Sequence, residues 1–207
     1  LGLTLYLVRH GETDWNAEHR VQGHTDVPLN ARGRAQAAAA AHELAGVPLG
    51  AVIASDLSRA RETAAQVAAG HGLPVQVEPQ LRERHYGSAE GRLDSELEQE
   101  YGEALRDYWR GPDTPFPGGE SIRQHQLRVG AYLEALIARP PADAVALVSH
   151  SGTVRRALNH LDGVPARPES SRRSPTARYM WCRSPTRATL GDRRPGDGGA
   201  LMTGARW

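Results

Sequence analysis

Short, almost wholly apolar runs alternate along this chain with longer stretches in which apolar and polar residues recur at helical spacing. LTLYLV (3–8), AVIAS (51–55), VQVEP (75–79) and AVALVSH (144–150) are of strand type, being brief, apolar and bounded by polar or turn-forming residues. PLNARGRAQAAAAAHELAG predicts a helix capped by Asn30, favoured by its alanine-rich interior and ended by Gly46. DLSRARETAAQVAAGHG predicts a second, closed by Gly70 or Gly72. SELEQEYGEALRDYWR (95–110) has amphipathic spacing that Gly102 interrupts, and Pro112, Pro115 and Pro117 then mark a loop. A helical stretch begins at Ser121 and runs to about Ile137, and TVRRALNHL reads as the helix after the fourth strand. Such alternation predicts an α/β fold with a largely parallel sheet.

In open parallel sheets, ligands bind at the carboxyl ends of the strands. Arg9, His10 and His150 all fall at such ends. A charged pair that ends a buried strand has no packing reason to exist, so Arg9 and His10 point to chemistry. Histidine titrates near neutral pH and attacks as the unprotonated ring; an adjacent guanidinium fork suits a phosphate, and Gly11 lets the backbone come close. His10 is thus a candidate nucleophile for phosphoryl transfer, which also requires several positive donors and an acid for the leaving oxygen.

Composition narrows the alternatives. At 207 residues the chain suits one catalytic domain, and no apolar stretch approaches the ~20 residues of a membrane span. LGLTLYLV lacks a basic leader, so a cytoplasmic location is expected. Cys182 is the single cysteine, which excludes intramolecular disulfides and a cysteine-rich metal site. All 25 Lys-plus-Arg residues are arginine, so no mechanism can use a Schiff-base or P-loop lysine. Beyond about residue 166 the periodicity fades: nine arginines against three acids give about +6, whereas residues 1–165 carry about −5. The expected organisation is a catalytic domain at 1–165. Residues 166–207 then form an Arg/Pro/Gly-rich tail with no clear strand, read as a poorly ordered extension or a shifted reading frame. Its aromatics do not interleave with arginines in a nucleic-acid-binding pattern, so neither nucleic acid nor membrane is an expected partner.

Each motif alone is weak, but YLVRHGETDWN, SDLSRARETA, LRERHYG and LVSHSGTVR occur at successive strand ends in an order that resembles the histidine phosphatase superfamily, or phosphoglycerate mutase-like family. The resemblance spans about residues 3–164. It implies a three-layer α/β/α sandwich, no metal and no cofactor. It makes His10 the residue that becomes phosphohistidine, with Arg9, Arg59 and His150 holding the phosphate. Asn16 matches a further phosphate-pocket position, capping of the next turn being its competing role. Glu83 matches the proton donor, with Glu78 and Glu90 as nearby acids. Gln22 and Gly23 are candidate substrate contacts, and Ser151 stands where a glycine is common. His24 receives no role.

A phosphatase and a mutase share this apparatus, and a binding module without turnover is a third reading. ERHYG and EYGEALRDYWR are similar to the glycolytic mutases. Asp94, however, falls where those mutases suggest a substrate-binding lysine, and the short run through WRGPDTPFPGGES lacks their longer insertion. Hydrolysis of a small phosphorylated metabolite is therefore favoured. Specificity is expected from residues 88–120, with Arg82, Arg84, Arg92 and Arg110 favouring an anion. The natural substrate and the oligomeric state stay open.

Overall fold

The computed structural model describes residues 3–162, together with the backbone of 176–180 and 191–193. The elements in chain order are β1 (Thr4–Arg9), α1 (Asp14–Ala17), α2 (Ala31–Leu44), β2 (Ala51–Ala54), α3 (Ser58–Ala69), β3 (Val75–Val77), α4 (Asp94–Tyr101), α5 (Leu105–Arg110), α6 (Ile122–Ala138), β4 (Ala144–Ser149), α7 (Ser151–Leu161), β5 (Thr176–Met180) and β6 (Gly191–Arg193). The sheet order is β3-β2-β4-β1-β5-β6, parallel throughout except for β6.

Successive side chains on a strand face opposite sides, so a continuous apolar run must be covered twice. Leu5, Leu7, Ile53, Val145 and Leu147 pack with Val129 and Leu133 of α6 and Val154 of α7. Their neighbours Tyr6, Val8, Val52, Ala54, Ala146 and Val148 pack with Ala40 and Leu44 of α2 and Ala64 and Val67 of α3. The product is a sheet between two helical layers, as expected. Each fully buried aliphatic side chain here contributes about 1.5–3 kcal/mol.

The helix signals act where the sequence puts them. Asn30 Oδ1 accepts from the Gly33 N–H, capping α2, and Ser121 and Gln124 form a reciprocal box at the start of α6. Gly102 adopts φ +51°, and the helical run breaks there into α4, a 3-10 turn and α5. Around Phe116, a small cluster of Leu97, Leu105, Tyr86, Tyr101, Tyr108 and Trp109 holds this segment over one end of the sheet.

The expectation of no strand after residue 166 is corrected at two places. Residues TARYM form β5, paired parallel with β1 from Thr4↔Thr176 to Val8↔Met180, and β6 pairs antiparallel beyond it. β1 has β4 on one side only, and its other edge needs a partner for its N–H and C=O groups. Five residues flanked by Arg and Pro are too few to show a pattern. The remainder of 166–207, Cys182 included, lies outside the described residues.

Register fixes the site. Arg9 pairs with Ser149 across β1 and β4, and the His10 N–H donates to the Ser149 carbonyl at 2.9 Å. Two adjacent strands therefore release His10 and His150 at the same level.

Candidate active site

His10 is buried, and its Nδ1–H donates to the carbonyl of Gly11 at 2.6 Å. That bond fixes the tautomer and leaves the Nε2 lone pair for attack. Burial holds the ring well below the usual imidazole pKa, and the charges of Arg59 and Arg9 push the same way. The ring is thus kept unprotonated at neutral pH. A Cβ on Gly11 would lie 2.2 Å from the Gly33 carbonyl, so the turn after His10 interlocks with the first turn of α2 only as glycine.

Arg59, on the first turn of α3, is 1% exposed. Its guanidinium reaches three acceptors: Gly23 O at 2.7 Å, Thr25 O at 2.9 Å and His150 Nδ1 at 3.3 Å. Desolvation lowers its pKa to about 10, with Glu83, Asp26 and Glu90 opposing that fall, and it stays cationic at physiological pH. Because His150 Nδ1 accepts, the neutral ring carries its proton on Nε2 and donates it to Ser55 Oγ at 2.9 Å. The His150 and His10 rings meet edge-on with centroids 5.0 Å apart. His150 is held well below the usual imidazole pKa by burial, then by Arg59.

The loop between β1 and α2 supplies the other expected contacts. Asn16 is not itself the cap of a following turn; Thr13 caps α1, and Asn16 answers it as the third helical residue, its Oδ1 accepting from the Thr13 N–H while its own N–H donates to Thr13 Oγ1. That reciprocal box fixes the amide through its oxygen. Gln22 Oε1, 3.0 Å from Thr13 Oγ1, shares the single Thr13 hydroxyl proton with Asn16 Oδ1 at 3.1 Å. Gly23 sits at φ +57°, where a Cβ would lie 2.1 Å from Glu90 Oε1. Its role in the fold is to lend its carbonyl to Arg59.

The three nearby acids separate by their partners. Glu78 Oε1 caps the 3-10 turn at Pro79–Leu81. Glu90 is a loop organiser, accepting from the N–H groups of His24, Thr25 and Tyr86 and from the Thr25 hydroxyl. Glu83 is buried, with Oε1 accepting from the Arg84 N–H and Oε2 from the Gly152 N–H, both at 2.9 Å. A carboxylate at the start of α7 also meets the positive end of the helix.

Sequence reasoning missed the clamp that holds Glu83. Ser149 donates to Leu81 O and Thr153 to Arg82 O. Arg128 donates to the carbonyls of Gln80, Arg82 and Glu83, and the His24 ring donates through Nε2 to Glu83 O at 2.9 Å. No short motif reveals Arg128, since it lies one turn beyond the capping box of α6, among other surface-type residues. Of the arginines expected to favour an anion, Arg82 is paired with Asp56 and Arg92 with Glu100, while Arg84 and Arg110 line a cavity beside Ser151. Among the described residues no group of three His, Cys, Asp or Glu side chains is placed to hold a metal ion, and no helix is long and apolar enough to cross a membrane.

The chain is similar to known proteins over most of its length. The chain is 39% identical over 165 residues to "Probable phosphoglycerate mutase GpmB" of Cronobacter sakazakii, covering 79% of this chain and 77% of that one. Among solved structures it is similar to a mycobacterial glucosyl-3-phosphoglycerate phosphatase in complex with VO3, with a TM-score of 0.73 and 32% identity over 77% of this chain and 82% of that one. It is also similar to the alpha-ribazole phosphatase of Shigella flexneri, with a TM-score of 0.71 and 33% identity over 78% and 81% of the two chains. A family description matches residues 5–183, across both histidine-bearing strand ends, and the chain belongs to the histidine phosphatase superfamily, branch 1.

Proposed function

We propose that this protein hydrolyses phosphate monoesters of small metabolites through a phosphohistidine on Nε2 of His10. The observation that carries the reading is the 2.6 Å bond from His10 Nδ1–H to Gly11 O, which presents an unprotonated Nε2 beside Arg9, Arg59 and His150. In the first step an Nε2–P bond forms, the ester P–O bond breaks, and protonated Glu83 gives its proton to the leaving oxygen. The positive charge that develops on the ring is met by the Gly11 carbonyl. In the second step Glu83, now a carboxylate, takes a proton from water as that water attacks phosphorus, and the Nε2–P bond breaks. Arg9, Arg59 and the Nδ2 of Asn16 neutralise and orient the phosphoryl oxygens, and Gln22, Gly23 and Ser151 border the substrate. His150 joins them by a change of tautomer: the Ser55 hydroxyl donates to Nε2, and the proton then carried on Nδ1 is donated to the anion in place of the long bond from Arg59.

The solved phosphatases among its relatives support hydrolysis. Mutase chemistry is the second reading, favoured by the name of the curated relative. Asp94, at the first turn of α4 with Glu96, places acid where a phosphoglycerate mutase would want a cation. All assigned residues precede residue 165, which supports treating 1–165 as the catalytic unit with the later strands as its extension. A cytoplasmic location is part of the same reading.

Incubation with 4-nitrophenyl phosphate, with and without chelator, is expected to release phosphate equally, and His10→Ala to abolish release and histidine labelling. Undiminished turnover by that variant would reject the mechanism. Isomerisation of 3-phosphoglycerate primed by a bisphosphate, faster than its hydrolysis, would instead establish the mutase.

A further inference from the structure

On the first turn of α6, His125 is 2% exposed and stands in the wall of a cavity of about 350 Å³ that Ser151 and Gly152 border from α7. Its Nε2 lies 2.9 Å from Thr153 Oγ1. The Thr153 hydroxyl gives its single proton to the Arg82 carbonyl at 2.7 Å, because a carbonyl can only accept. The Thr153 oxygen therefore accepts from His125, which puts the proton of the neutral ring on Nε2 and a lone pair on Nδ1. Nδ1 forms no hydrogen bond among the described residues, yet packing does not seal it, and the cavity is the space that the ring borders. The proposed phosphoryl steps make no use of this ring.

Burial holds His125 well below the usual imidazole pKa, and the charges of Arg128, Arg156, Arg84 and His24 push the same way, so the ring stays an acceptor. The guanidiniums of Arg84 and Arg156 in the same lining can only donate. A buried acceptor without a partner costs free energy until a ligand brings a donor to it. An ammonium would be repelled by the arginine charges that already act on this ring, so the donor that fits is a neutral hydroxyl. The Gly152 N–H holds Glu83, the proposed acid, so the leaving-group side of the reaction faces this cavity. Tyr86 and Trp109, which meet edge-on at 5.3 Å, and Ile122 give it apolar walls.

We infer that His125 determines specificity: its Nδ1 accepts a hydrogen bond from a hydroxyl on the leaving group, and the preferred substrates are phosphate monoesters of polyols or sugars rather than of bare alkyl or aryl alcohols. This rests on the hydrolytic reading of the same site. A site that satisfies a substrate hydroxyl rejects the analogue lacking it, because the buried acceptor is then left without its bond. The carbon frame of the leaving group packs against Tyr86 and Trp109.

The test uses matched esters: glycerol 3-phosphate against propyl phosphate, and glucose 6-phosphate against cyclohexylmethyl phosphate, the second of each pair having no hydroxyl on its leaving group. His125→Phe keeps an aromatic ring and removes the acceptor. It is expected to lower kcat/KM about 10- to 100-fold on at least one hydroxylated ester and less than about threefold on its counterpart. His125→Asn, whose Oδ1 stands near the place of Nδ1, is expected to recover part of that selectivity. Equal losses within both pairs would leave His125 only a packing role and overturn the inference, as would no loss in either. Calorimetric binding to His10→Ala separates this from the catalytic proposal. Tighter binding of a hydroxylated ester than of its counterpart, abolished by adding His125→Phe, is expected even without turnover. Equal affinities within both pairs in the His10→Ala protein would refute the subsite, whether or not the phenylalanine variant folds.

Discussion

The Gly152 N–H donates to Glu83 Oε2 at 2.9 Å, and a Cβ placed on Gly152 would lie 2.2 Å from Glu83 Oε1. The residue two positions after the strand-end histidine therefore decides where the proposed acid can stand. Gly152→Ala is expected to push the carboxylate aside and lower kcat about 10- to 100-fold, part of the roughly 10²–10⁴-fold that general acid–base catalysis contributes. Alkyl phosphates, with poor leaving oxygens, should suffer more in the first step than 4-nitrophenyl phosphate. Steady-state kinetics on both esters, with far-UV spectra to confirm folding, checks this.

Arg59 spans two carbonyls and an imidazole, a geometry that a planar fork reaches and a lysine ammonium does not. Arg59→Lys is expected to reduce kcat/KM at least about 100-fold and to weaken inhibition by vanadate. Preservation of both values would remove Arg59 from the phosphate pocket.

Glu90 acts one step further out. By holding the N–H groups of His24 and Thr25 it aims the carbonyls of Gly23 and Thr25 at Arg59. Glu90→Ala should loosen this loop, at about 1–3 kcal/mol for the buried donors left unpaired. The inhibition constant of inorganic phosphate is expected to rise about tenfold, and Glu90→Gln to recover part of the loss. Thermal melts and product inhibition read the two effects separately.

His10, His125 and His150 are all buried, and burial is the first cause holding each well below the usual imidazole pKa. In the unfolded chain the same rings take up protons near pH 6.5. Their contribution to stability is therefore complete above that pH and is lost as the pH falls below it, toward the lower folded values. The slope is up to about 1.4 kcal/mol per pH unit for each ring, or about 4 for three. Guanidinium-chloride midpoints at pH 7.5, 6.0 and 5.0 should fall accordingly. The acid limb of kcat/KM should likewise lie below pH 6.5, because His10 stays unprotonated there.

β5 covers the edge of β1, the strand that delivers Arg9 and His10. A chain ending at residue 165 is expected to lose about 3–5 kcal/mol from these backbone bonds, to aggregate through the exposed edge and to lose activity in parallel. A melting temperature equal to that of the full chain would show the strand to be dispensable.

How much could be read beforehand depended on range. The apolar runs, Asn30, Ser121 and Gly102 act locally, through strand burial, capping and a positive φ, and the structure uses each where the sequence places it. A charged pair that ends a buried strand contradicts packing and so points to Arg9 and His10, while Arg59, Glu83 and His150 are named through the resemblance of their motifs to a known family. Tertiary structure decided what spacing along the chain does not encode. The Arg9↔Ser149 register sets two histidines at one level, and the chain's path sorts Glu83 from Glu78 and Glu90 by the N–H groups each meets. It also neutralises Arg82 and Arg92 with acids while bringing Arg155 and Arg156 to a cavity that Arg110 reaches from more than forty positions away. Local propensity is a property of a few adjacent residues. Which charges end up facing one another is a property of the whole packed chain.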